Sequence, residues 1–125
     1  MHVAPGDVVH VFSPYAGKNK YHLCIGNDHF FIFLSSPKAR SFAGDFEIDG
    51  SKITGVPPTP EGKSIASCNT VMQIAGSDLR RLGAQVVGKV TLGVMRDLLA
   101  FVQHLPTIAP ETRDCIVEEL MDFLG

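Results

Sequence analysis

The stretch KNKYHLCIGNDHFFIFLSSPK, from Lys18 to Lys38, limits the possible fold more than any other part of the chain. Two β-branched and aromatic runs, Tyr21 to Ile25 and Phe30 to Leu34, flank Gly26-Asn27-Asp28. Apolar runs around a short polar turn read as a β-hairpin. With a two-residue loop at Asn27-Asp28, the commonest hairpin connection, Ile25 faces Phe30, Leu23 faces Ile32 and Tyr21 faces Leu34. That face is apolar or aromatic and suits a core. On the other face Cys24 meets Phe31, His22 meets Phe33 and Lys20 meets Ser35. Directly opposed side chains have Cβ atoms about 4.5–5.5 Å apart. A cation, a titratable ring, two aromatic platforms and a hydroxyl then share one surface. Aromatics can stack RNA bases and a lysine can meet phosphate. The same residues also suit a plain strand pair, with Phe31 and Phe33 under a helix, His22 hydrogen-bonded in place and Lys20 guarding an edge.

The rest of the chain supplies the hairpin's partners. Val8 to Phe12 is a β-rich run after the turn Pro5-Gly6-Asp7, and Ser13 to Asn19 has loop composition. A short strand is expected around Phe46 to Ile48 and a longer one from Ser64 to Ile74. Gly55 to Gly62 holds three prolines, which remove backbone donors and exclude regular structure. Ser77 is placed to cap a helical turn through Arg81. Thr91 caps a helix whose apolar face is Val94, Leu98, Phe101, Val102 and Leu105, and Pro106 ends it. Pro110 suits the first turn of a last helix, with Glu111 and Asp114 near its positive end and Ile116, Leu120, Phe123 and Leu124 as its buried stripe. Strands followed by helices predict a mainly β domain, a small barrel with C-terminal helices. Residues 1–105 form its body, and 106–125 an additional helix packed on the same domain.

Composition narrows the function classes. At 125 residues the chain is long enough for one domain with its own core. No apolar run approaches the ~18 residues that a membrane span needs, and the N-terminus lacks the pattern of a signal peptide. Cys24, Cys68 and Cys115 are odd in number and form no CxxC pair, which argues against a zinc site or a disulfide framework and suits a cytoplasmic location. The net charge of −2 hides an uneven distribution: the acids Glu111, Asp114, Glu118, Glu119 and Asp122 leave the body mildly basic and the tail acidic.

Several motifs carry no chemistry on inspection. The run from Asp45 to Gly50 begins like a calcium loop, but Val56 stands where the bidentate Glu is required. Gly62-Lys63-Ser64 ends like a phosphate loop, but Pro57 stands where its first Gly is required. Pro57-Pro58-Thr59-Pro60 reads as a rigid surface loop. His10 reads as a structural strand histidine, and Cys68 and Cys115 as small hydrophobes.

Taken in order, the motifs resemble the MazF/PemK family of toxin ribonucleases. The matching segments are Gly6-Asp7-Val8-Val9, the loop Ser13 to Asn19, Lys20 to Ile25, Asn27-Asp28 and Phe31 to Ser35. Further on come Ser64 to Cys68, Arg80 to Gly83, and Gly88-Lys89-Val90 before Val94 to Leu99. The likeness spans about residues 5–105. It implies an SH3-like barrel of the CcdB/MazF/PemK type, a homodimer, and a toxin held in check by a protein antitoxin. It also implies metal-independent cleavage of single-stranded RNA by 2′-hydroxyl attack, with no cofactor. Lys20 falls at the position of the family's Arg, and Ser35 at its Thr or Ser. The catalytic set is Lys20 and Ser35 from the resemblance, with His22 added because it lies two residues from Lys20 on the same face and an ordinary histidine pKa of about 6.5 suits it to shuttle a proton or bind RNA; the RNA-binding set is Lys18, Tyr15, Phe31, Phe33, Ser36 and Lys38. Lysine departs from the family here, because it lacks the bidentate fork of arginine. Two other functions fit the same barrel: a non-catalytic SH3-like module that binds protein or nucleic acid, and a CcdB-like gyrase inhibitor.

Overall fold

The computed structural model describes residues 2–14, 16–27, 30–37 and 42–125. Six strands form one antiparallel sheet: β1 (Asp7–Ser13), β2 (Lys18–Gly26), β3 (Phe30–Ser35), β4 (Asp45–Asp49), β5 (Lys63–Gln73) and β6 (Gln85–Lys89). Their spatial order is β4-β5-β3-β2-β1-β6. Helix α1 (Gly76–Arg81) joins β5 to β6, and α2 (Leu92–Gln103) and α3 (Pro110–Leu124) follow the last strand.

The β2–β3 register is the one a two-residue loop predicts over His22–Phe33, Leu23–Ile32 and Cys24–Phe31, but the pairing ends at His22–Phe33 and does not reach the expected Tyr21–Leu34 and Lys20–Ser35 pairs. It departs from that pattern at Ile25, where a bulge brings Gly26 opposite Phe30. A Cβ on Gly26 would meet the movable Glu119 carboxylate of α3 and lie 2.8 Å from the Phe30 ring.

Both faces of this hairpin are buried. One packs Leu23, Ile25, Ile32 and Leu34 against Leu98 and Val102 of α2 and against Ile116 and Leu120 of α3. The other packs Cys24 and Phe31 with Val9, Val11, Leu79 and Ala84, closed over by Met72, Ile74 and Leu82. Helix α1 therefore covers the hairpin surface that period-two alternation alone would leave open.

The helices follow their sequence signals closely. Thr91 caps α2 by accepting from the Val94 N–H at 3.2 Å. Pro110 opens α3, whose Ile116 and Leu120 are fully buried. Ser77 does not cap α1, because that helix starts at Gly76, inside which Ser77 lies, with Ala75 as its cap and no side-chain bond. Strand β6 was not predicted at all. It is an edge strand with Val86 and Val87 both exposed, so no alternation marks it.

The sheet is not closed into a barrel. Its two edges approach through the segments that follow β4 and β6, where a bridge links Ile53 to Val90. Around it the Thr54 N–H donates to the Lys89 carbonyl at 2.9 Å, and the Lys89 N–H donates to Thr54 Oγ1 at 3.0 Å. The observed architecture is thus a mainly β open sheet with three helices among the described residues, where a closed barrel was expected. None of those helices is long and apolar enough to cross a membrane.

Candidate functional site

Lys20 and Phe33 lie where β2 and β3 leave their paired region, beside the His22–Phe33 pair. The Lys20 ammonium stands 5.4 Å from the centre of the Phe33 ring, a cation–π contact. On the other side of that contact the His22 and Phe33 rings are 5.0 Å apart and tilted by 41°. The structure therefore brings Lys20, Phe33 and His22 into one row.

His22 is at the buried end of the row, with no exposure to solvent. Its Nδ1 lies 3.0 Å from the Lys20 carbonyl oxygen, which can only accept, so Nδ1 carries the proton. Burial lowers its pKa below the usual histidine value. It outweighs the Lys20 and Val9 backbone bonds that favour the cation, while the charges of Lys20 and His10 push the same way as burial. The ring is thus held neutral, and its Nε2, which has no hydrogen-bond partner, is an acceptor. Phe31 is equally buried, in the cluster beneath α1, with no face free to stack a base. It meets His22 edge-on at 6.4 Å.

Ser35 belongs to a different hollow. A cleft of about 220 Å³ is lined by Tyr21, Leu34, Ser35, Ser36 and Ser64 on the sheet and by Val56, Pro57, Pro58 and Thr59 opposite. The proline loop is the far wall. It is pinned by Thr59, whose hydroxyl donates to the Lys63 carbonyl at 2.7 Å and accepts from the Lys63 N–H at 3.1 Å. The Ser35 hydroxyl is buried in this wall without a partner. Ser36 is exposed at its mouth, and Lys18 is exposed at the start of β2, opposite Ser13. Tyr15 and Lys38, the remaining RNA-binding candidates, lie outside the described residues.

A second cleft, of about 380 Å³, opens between the end of β1, the second half of β5 and α1. Phe12, Ser13 and Pro14 form one side, Thr70 to Ile74 another, and Asp78, Arg81 and Leu82 the third. His22 lies at its base. Sequence reading does not find this cleft, because α1 comes from far along the chain and because β5 is irregular here. Ser67 pairs with Phe33 and Met72 with Phe31, leaving residues 68–71 opposite Ile32 alone. Such bulges often lie beside functional sites.

The cysteines offer no nucleophile in either cleft. Burial pushes the thiols of Cys24 and Cys68 up to about 12, so both stay protonated at neutral pH. No protein-family model matches the chain, and no curated protein matches it significantly.

Proposed function

We propose that the chain is a MazF/PemK-like toxin, its open sheet a variant of that family's SH3-like barrel, that cleaves single-stranded RNA, acts as a homodimer in the cytoplasm, and is neutralised by a protein antitoxin. The order of its sequence motifs is the ground for the family. The observation that carries the reading at the site is the placement of Lys20 over Phe33 at the open end of the β2–β3 pair. A half-buried aromatic under an ammonium is a suitable seat for a base and its phosphate.

In this reading the 2′-hydroxyl attacks the neighbouring phosphorus. The P–O5′ bond breaks, a cyclic phosphate and a 5′-hydroxyl result, and the proton passes overall from the 2′-oxygen to O5′. Lys20 stabilises the charge that gathers on the phosphorane, a contribution of about 10²–10³ in rate for one well-placed donor. Ser35, whose hydroxyl lines the neighbouring cleft, is assigned to a phosphate oxygen from the resemblance alone. His22 acts as a positioning residue, because its Nδ1–H holds the Lys20 carbonyl and its ring backs Phe33.

One observation favours a second reading, RNA binding without cleavage. His22, the histidine of the row, is 0 % exposed and held neutral, so it is not placed to exchange a proton at the Lys20 seat. Digestion of an unstructured RNA, with and without EDTA, separates the readings. Cleavage lost in Lys20→Ala and Ser35→Ala supports the nuclease; retention on a filter without fragments supports the binder.

A further inference from the structure

The cleft beneath α1 contains two polar atoms that the fold leaves unsatisfied. Ser13 is 2 % exposed and His22 0 %, and neither Ser13 Oγ nor His22 Nε2 has a hydrogen-bond partner. Both residues line the same cleft. Leaving such groups unpaired in a folded interior is unfavourable, and native structures rarely do so without a reason. At about 380 Å³ the hollow falls within the range of roughly 300–1,000 Å³ typical of small-molecule sites.

Its chemistry is specific. Because Nδ1–H is committed to the Lys20 carbonyl, the imidazole presents only an acceptor at Nε2. The Ser13 hydroxyl can accept or donate. The walls are mixed, with Met72, Leu82, Val71 and Ile74 half-buried beside Thr70 and Gln73, and Phe12 lines the cleft with 38 % of its surface exposed. Arg81 is at the rim, 3.4 Å from Asp78 and largely exposed, with guanidinium donors to spare. A flat ring with an N–H on its edge and a phosphate attached would meet His22 Nε2, the Ser13 hydroxyl and the donors that Arg81 does not give to Asp78.

We propose that this cleft is a nucleobase pocket: a base stacks on Phe12, directs an N–H toward His22 and Ser13, and leaves its phosphate to Arg81. The assignment of that base to an RNA strand rests on the function proposed above; the affinity of the cleft for a base does not. The His22–Lys20 bond ties the base of the cleft to the residue assigned to phosphate, so an occupied pocket would fix which nucleotide lies near Lys20.

The test is an amide-shift titration of the whole protein with the four nucleoside 5′-monophosphates, and with ribose 5-phosphate as control. At least one nucleotide should move the amides of Ser13, His22 and Leu82, and the sugar phosphate should not. Phe12→Ala, at an exposed position, should weaken that nucleotide by roughly 5- to 150-fold, as expected for a lost base–aromatic stack. Equal shifts with ribose 5-phosphate, unmoved cleft amides, or unchanged affinity in Phe12→Ala would each overturn the pocket. A single-stranded oligonucleotide is titrated separately. RNA that binds or is cut while the cleft amides stay still removes the pocket and leaves the RNA function intact. A nucleotide that binds in the cleft of a protein indifferent to RNA does the reverse.

Discussion

His22 is the residue on which most depends. It is buried, neutral and bonded through Nδ1 to the Lys20 carbonyl, and it stacks against Phe33. Its pKa lies below the unfolded value, so between the two values the unfolded chain binds a proton that the folded one refuses. Stability from this group is complete above about pH 6.5 and falls as pH drops below it, levelling off once the folded protein also takes the proton. Urea midpoints measured from pH 7.5 to pH 5 should therefore decline, and His22→Phe should flatten the decline by removing the titrating group. An identical decline in the variant would mean that His22 titrates freely in the fold. The sequence shows His22 opposite Phe33, because an assumed short turn sets the register and alternation the face, but the same reasoning misses the bulge at Ile25 and the end of pairing before Lys20 and Ser35. It does not show that His22 and Phe31 are sealed, because Leu79 and Leu82, which help cover that side, come from a distant segment with no local link to the hairpin.

At the scale of elements, α3 is part of the core rather than a layer outside it. Ile116 and Leu120 have no exposure and pack in the same cluster as Leu23 and Ile32 of the hairpin. Leu120→Ala should cost about 2–5 kcal/mol by leaving a cavity, read from urea unfolding. A cost below about 0.5 kcal/mol, typical of surface changes, would place α3 outside the cooperative unit. This helix was legible because Pro110 and its apolar stripe give the start and the buried side together. Strand β6 was not, since it is a short edge strand that buries neither Val86 nor Val87. The proline loop was legible as irregular chain but not as the wall of the Ser35 cleft. Its position depends on Thr59 and Lys63 and on contacts across the sheet, none of which leaves a periodic trace.

At the scale of the whole molecule, the sheet's two edges are held together by the Ile53–Val90 bridge and the bonds beside it. Gly88 permits that approach, because a Cβ there would collide with the Thr54 carbonyl and lie 2.8 Å from the Gly55 nitrogen. Gly88→Ala should destabilise by about 1–3 kcal/mol, the usual range for overpacking. An unchanged unfolding midpoint would show that the junction is slack. This junction keeps the proline loop, and with it the Ser35 cleft, over the open end of the hairpin.

The most direct measurement is digestion of a labelled, unstructured RNA by the purified protein and by Lys20→Ala, in EDTA, with folding checked by circular dichroism. The account predicts fragments ending in cyclic phosphate from the natural protein and a loss of about 10²–10³ in rate for the variant at unchanged fold. Equal cleavage by both proteins, or a natural protein that neither cuts nor retains the RNA, would contradict it.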